Sequence, residues 1–205
     1  MKEHLSTNPW LQIWVHPRQT MQEILNYDVK YRFVLLSGIY GFPLVLSFAQ
    51  SLSLGRSMSL SIIFLISLVL AVFIGMLGIT ISSAILYWIG KWIGGQGSYL
   101  EVRSAVAWSN VPNAIQIVLW LVLLAGFGNK VFDQDFTNTP FVGGDLGFVV
   151  CLFLAQAALG IWSFVILLHT LGAAQQFSAW KSLLNIFIPI ALLIVGMWFV
   201  SLFVF

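Results

Sequence analysis

Charge is what this chain has least of. Only 8% of its 205 residues are Asp, Glu, Lys or Arg, while 60% are hydrophobic. Ordinary soluble domains carry about 25% charged and about 45–50% apolar residues. A soluble fold of this length cannot hide so much apolar surface, so the solvent around it must be lipid. The net charge of +2 is too small to imply a nucleic-acid partner. A single cysteine, Cys151, excludes an intramolecular disulfide; in its apolar run it is packing material or a lipid-facing residue. Residues 1–32 hold several charges and no apolar core of a signal peptide, so the first span is expected to act as an uncleaved insertion signal. No nucleophile–base constellation, phosphate loop or metal-ligand cluster is spelled out. No enzyme, metal or cofactor is therefore expected.

Long apolar runs are what the chain has instead. A helix needs about 20 apolar residues to cross the hydrocarbon core. The runs 33–54, 146–170 and 183–205 meet that length. A shorter run, 111–127, becomes a span at about 105–128 by taking in the turn before Pro112. The block 57–93 is harder, because as one helix it is about 55 Å long. That is long for one span and barely enough for two with a tight turn at Gly75-Met76-Leu77-Gly78.

Lys and Arg favour cytoplasmic loops, and they decide the count. One span there puts Lys2, Arg18, Lys30, Arg32, Lys91, Arg103 and Lys181 on the cytoplasmic side against Arg56 and Lys130. Two spans there put Lys2, Arg18, Lys30, Arg32 and Lys130 against Arg56, Lys91, Arg103 and Lys181, which is nearly even. The expected fold is therefore an all-α integral membrane protein with five transmembrane helices, preceded by an N-terminal interfacial amphipathic helix. Residues 1–32 form the cytoplasmic, interfacial segment and 33–205 the membrane domain, with spans at about 33–54, 60–93, 105–128, 146–170 and 183–205. The long second span is tilted or extends past the bilayer, with Gly75 and Gly78 permitting close packing or a kink. The N-terminus is expected in the cytoplasm and the C-terminus outside, in the plasma (inner) membrane if the chain is bacterial.

In the first segment Trp10, Ile13, Trp14, Pro17, Met21, Ile24 and Leu25 recur at helical spacing, the apolar stripe of an amphipathic helix. Asn8 before Pro9 is an N-cap with proline at the first helical position. Pro17 breaks or restarts the helix and pushes His16 toward extended geometry. Trp10 and Trp14 on one face are expected as headgroup anchors that cover the bundle floor. A docking surface for a cytosolic partner is the other reading of that stripe. His4 and His16 are expected at the surface. The outer loop 128–145 carries Asp133, Asp135 and Asp145 in a spacing that matches no metal loop, so it reads as a solvated turn.

One polar island interrupts the apolar runs. It starts at Gly94-Gly95-Gln96-Gly97-Ser98-Tyr99-Leu100-Glu101-Val102-Arg103 and leads into Ala107-Trp108-Ser109-Asn110-Val111-Pro112-Asn113. Polar groups near membrane depth cost free energy unless they are satisfied. Ser98-x-x-Glu101 is a capping-box pattern that starts a helix near Tyr99, and Gly94, Gly95 and Gly97 end the helix before it. Tyr99 and Arg103, four apart, allow a cation–π contact. Beyond its cap, Glu101 is expected to meet Lys91 or Lys181. Pro112 leaves a carbonyl for Ser109, Asn113 or water to satisfy. Glu101, Arg103, Trp108, Asn110, Asn113 and Gln116 form the candidate polar site; no catalytic residue is assigned.

A second polar loop, 169–181, is expected on the same side. Ser178 caps the fifth span, Trp180 and Lys181 anchor it at the headgroups, and His169 is a hydrogen-bonding residue near the interface. Pro43 and Pro189 imply kinks inside the first and fifth spans.

The order of these motifs resembles the Yip1 family. The residues that carry it are Asn8-Pro9-Trp10, Ile13-Trp14, Pro17, Thr20 and Ile24; Gly94-Gly95-x-Gly97-Ser98-Tyr99-x-Glu101; Ala107-Trp108-Ser109-x-Val111-Pro112; Trp162; and Phe177-Ser178-Ala179-Trp180-Lys181. The resemblance spans nearly the whole chain. It implies five helices, a cytosolic N-terminus and no enzymatic motif, and makes Gly94, Gly95, Gly97, Ser98, Tyr99 and Pro112 a signature of the fold. Eukaryotic members have a longer cytosolic N-terminal region and are linked to Rab GTPases and to traffic between endoplasmic reticulum and Golgi. Here that region is 1–32 only, so Rab-type GTPase binding is not expected, and the chain looks like the short prokaryotic branch.

Two functions follow from the residues. One is a membrane-organising or scaffold component whose partners are membrane lipids, a second copy of the chain or other membrane proteins. The other is a transporter or channel for a small solute, with a cytoplasmic polar vestibule around 101–116. Transport usually needs polar groups at the midplane, and no charge lies deep in this chain. That favours the scaffold.

Overall fold

The computed structural model describes residues 8–133, 136 and 141–204, the last three by backbone alone. Lys2, His4, Asp135 and Phe205 lie outside the described residues. The elements are α1 (Pro9–Gln12), α2 (Pro17–Tyr27), α3 (Phe33–Ser51), α4 (Leu60–Trp92), α5 (Tyr99–Ser109), α6 (Asn113–Phe127), α7 (Gly144–Gln175) and α8 (Ala179–Val204), with 3₁₀ turns at Leu54–Arg56 and Gly128–Phe132. No strand occurs among the described residues. Five stretches are long and apolar enough to cross a membrane: Phe33–Ser51, Leu60–Trp92, Tyr99–Phe132, Gly144–Gln175 and Ala179–Ser201. The all-α, five-span expectation with a preceding N-terminal helix therefore stands.

The block read from sequence as one long span is one unbroken helix of 33 residues, α4. Gly75 and Gly78 lie inside it without ending it. The third span is two helices rather than a continuous rod. α5 stops at Ser109 and α6 starts at Asn113, with Pro112 at φ −58°, ψ −23° as the residue that caps α6. Proline has no N–H to continue the ladder. The chain restarts instead through Asn113 N–H to Asn110 O (3.0 Å), Ala114 N–H to Val111 O (3.0 Å) and Ile115 N–H to Pro112 O (3.0 Å).

The contacts divide the chain into two compact units. One comprises Arg32–Gly78 and Ser109–Phe164. In it α3 and α4 meet backbone to backbone. A Cβ on Gly41 would overlap the Ala71 carbonyl oxygen, and one on Gly75 would overlap the Ser37 carbonyl oxygen. Gly78 lies under the Tyr40 ring. Small residues let membrane helices approach this closely, where dispersion and weak Cα–H···O contacts hold them. Beyond that crossing, Phe42, Leu46, Ile63, Trp120, Leu124 and Phe132 form a buried core, with Trp120 and Phe132 stacked at 6.2 Å. Gln50 Nε2 donates to Val131 O at 2.9 Å and Asn129 Nδ2 to Gly55 O at 2.7 Å, tying the α3–α4 connection to the end of α6.

The other unit comprises Met1–Tyr31, Ile79–Trp108 and Val165–Phe205. Asn8 caps α1 by accepting the Trp10 N–H at 3.1 Å, and Pro9 fills the first helical position. Pro17 restarts the chain as α2, with His16 at φ −126°, ψ 57°, outside the helical region that a following proline disfavours. Part of the apolar stripe is turned into the protein. Ile13, Met21 and Ile24 are fully buried in the protein, and the Trp10 ring lies 5.5 Å from that of Trp108. An amphipathic pattern says which face is apolar, and both lipid and a protein interior satisfy it.

Candidate functional site

The turn after α4 is built by glycine. Gly94 takes φ +85°, a left-handed conformation that side chains disfavour. Its N–H donates to Lys91 O at 3.1 Å, and the Gly95 N–H reaches back to Gly90 O at 2.7 Å. Those two bonds are the Schellman closure of a helix C-terminus. α7 ends in the same way, with Gln176 at φ +60° and Phe177 N–H on Gly172 O at 2.8 Å. The two closures are joined by Gln96 N–H to Gln175 O at 3.2 Å. Three glycines make room for this. A Cβ on Gly90 or Gly95 would collide with the Gln175 amide, and one on Gly97 with the Ala174 carbonyl oxygen.

Gln175 is the residue that sequence reading missed. It is fully buried, and its Nε2 donates to Leu86 O at 3.0 Å. Its Oε1 has no hydrogen-bond partner among the described residues. Asn185 on α8 was missed too: it is fully buried, and neither side-chain polar atom has a hydrogen-bond partner among the described residues. The sequence held a signal for it, since Ser182-x-x-Asn185 places two polar side chains on one face of an apolar span.

The capping box after the turn is formed. Glu101 Oε2 accepts the Ser98 N–H, and Ser98 Oγ accepts the Glu101 N–H at 3.4 Å. Arg103 lies 5.9 Å over the Tyr99 ring, the expected cation–π pair. The expected pairing of Glu101 with Lys91 or Lys181 is not made: the carboxylate serves the cap, Lys91 sits 5.5 Å over Tyr87, and Lys181 sits 4.7 Å over Phe177. Ser178 caps α8 by accepting the Lys181 N–H at 3.3 Å. Of the expected anchors, Trp180 is exposed, Trp14 and Lys181 are half-buried, and Trp10 is turned onto Trp108.

Trp108 is fully buried between two aromatic partners, Trp10 and, stacked at 6.0 Å, Tyr31. Its indole Nε1 has no hydrogen-bond partner among the described residues. Glu101, Arg103 and Trp108 thus belong to one compact unit and Asn110, Asn113 and Gln116 to the other. In the latter, Asn113 Nδ2 donates to Asn110 Oδ1 at 3.2 Å and Gln116 is half-buried. Five of the six candidate residues therefore serve in structural contacts: a cap, a cation–π contact, an aromatic stack and an amide pair. Among the described residues no group of three or more His, Cys, Asp or Glu is placed to hold a metal ion.

Five apolar helices and a preceding N-terminal helix define a multi-pass integral membrane protein. The model of the Yip1 domain matches residues 11–200, so the chain belongs to the Yip1 family. No curated protein and no solved structure matches the chain significantly.

Proposed function

We propose that the protein is a non-enzymatic, membrane-organising component that binds lipids or other membrane proteins through its helix faces. One observation carries this reading: an apolar groove of about 660 Å³ between α3, α4 and α6, lined by residues such as Val34, Gly38, Phe42, Leu68, Val72 and Leu121. Its walls offer almost no polar surface, and its volume lies in the range of a small-molecule site. A lipid acyl chain matches both properties. The capped and paired state of the candidate polar residues supports the same reading, because architecture accounts for most of them. In this proposal the N-terminus is cytoplasmic, the membrane is the inner membrane of a bacterium, and the partners are lipids, a second copy or other membrane proteins.

The test is electron paramagnetic resonance with spin-labelled acyl chains and the reconstituted full chain. An immobilised lipid component is expected with the parent and is reduced by Val72→Phe, which fills the groove, at unchanged thermal midpoint. A parent chain without any immobilised component removes the proposal.

Transport is the second reading, favoured by the buried polar atoms of Trp108, Gln175 and Asn185, which water in a vestibule would satisfy. Glu101→Gln should then alter solute flux in reconstituted vesicles. Absence of flux from the parent under any gradient eliminates this reading.

A further inference from the structure

We propose that the exposed face of α4 is a surface for long-chain lipids, which thicken the bilayer around that helix. The proposal rests on the lipid-binding reading above and names the lipid class. From Ile62 to Leu77, exposed apolar residues recur on α4 at steps of three or four, the lipid-facing side of a membrane span. That side does not stop at mid-helix. Ile81, Ile85, Trp88 and Trp92 carry it on at the same spacing, each 44% exposed or more. From Ile62 to Trp92 the stripe rises about 45 Å, against a hydrocarbon core of about 30 Å. No Asp, Glu, Lys, Arg or His interrupts residues 57–90. Tyr87, Trp88 and Trp92, with Lys91 among them, are of the residue types that settle at headgroup level. Residues 79–86 hold none of these types, so the interface belongs at the very end of the helix.

The span packed on α4 asks for a thinner bilayer. α3 has 19 residues, about 28 Å, and follows Lys30 and Arg32. Its register on α4 is antiparallel, since Gly41 meets Ala71 and Ser37 meets Gly75. One turn further, Phe33 is level with about residue 79. α4 therefore runs on for about thirteen residues past the start of α3, still exposed and apolar on one face. A span longer than the core tilts or gathers a thicker bilayer around itself. α3 already matches the core, and its backbone contact with α4 limits how far the longer helix tilts away from it. Acyl chains longer than those of the bulk cover the rest of the stripe.

The experiment is native mass spectrometry of the full chain released from nanodiscs of equal dimyristoleoyl- and dierucoyl-phosphatidylcholine, which share a headgroup and differ in chain length. The parent should retain the long-chain dierucoyl lipid above the bulk ratio by about threefold, because the cost of mismatch accumulates with each ångström. Ile81→Lys with Ile85→Lys ends the apolar stripe near Leu77 and should return the ratio to bulk. Ile85→Ser, a milder change, should lower it part of the way. Ile81→Leu with Ile85→Leu keeps the stripe and should preserve the enrichment, at a thermal midpoint matching the parent's. Retention of both lipids at the bulk ratio means that α4 tilts within an ordinary bilayer; it overturns the long-chain surface and leaves lipid binding standing. Enrichment that survives both the lysine pair and the serine overturns it too, as does enrichment of the short-chain lipid. Retention of neither lipid removes the lipid-binding reading along with the surface.

Discussion

The Gln175 side chain donates to the Leu86 carbonyl oxygen across 89 residues of sequence. It occupies the space that Gly90 and Gly95 leave open. This amide is the wedge between the last turns of α4 and α7, and its Oε1 has no hydrogen-bond partner among the described residues. Replacing it separates the worth of the wedge from the worth of the bond. Gln175→Ala should lower stability by about 2–3 kcal/mol through the void it leaves. Gln175→Leu should recover most of that loss, because it refills the space and removes the orphaned Oε1. Denaturation of the purified chain in mixed micelles reads the difference.

Glycine substitutions should sort by contact. Gly41→Ala and Gly75→Ala press a methyl group into a backbone carbonyl and should each cost about 2 kcal/mol or more. Gly160→Ala on α7 meets nothing within 4 Å. It should be neutral or gain up to about 1 kcal/mol from helix propensity. Thermal midpoints in one detergent compare all three.

The start of α5 should depend on the oxygen at position 98. Ser98→Ala should cost about 1 kcal/mol and Ser98→Asp much less. Glu101→Gln keeps an acceptor for the Ser98 N–H, so its stability should stay within about 0.5 kcal/mol of the parent. That makes it a clean variant for the flux measurement.

Trp108→Phe should be nearly neutral, since it keeps a ring against Trp10 and Tyr31 and deletes an unpartnered N–H. Trp108→Ala should cost about 3–5 kcal/mol. A large loss from the phenylalanine variant would mean that water or a solute holds the indole N–H.

Asn185→Leu should raise stability by about 1 kcal/mol, because both ends of the buried amide lack partners among the described residues. Unfolding midpoints decide it. A fall instead of a rise would favour the vestibule over the scaffold.

What the sequence reveals is whatever is local. The apolar runs place all five spans, and positive-charge bias correctly keeps 60–93 as one helix. Asn8, Ser98 with Glu101, Ser178 and the Tyr99–Arg103 pair act within four residues, and each takes its expected partner. What stays hidden depends on distant chain. The stripe of Trp10, Ile13, Met21 and Ile24 advertises an apolar face, but only the fold supplies Trp108 to cover it. Gln175 reads as one polar residue of a loop, since its role requires Gly90 and Gly95 far upstream. The break at 110–112 falls between: Pro112 signals it, while the apolar run on either side argues for continuity.

The bond from Gln96 to Gln175 also sets a schedule for assembly. During synthesis the turn after α4 emerges long before the residue that clamps it. Until α7 has been delivered, the Gln96 N–H lacks the Gln175 carbonyl that it meets in the folded chain. A nascent chain cut short before residue 175 lacks the clasp altogether, whatever the quality of its earlier spans. Closure of that turn is a late event in biogenesis, and it reports that four of the five spans have arrived.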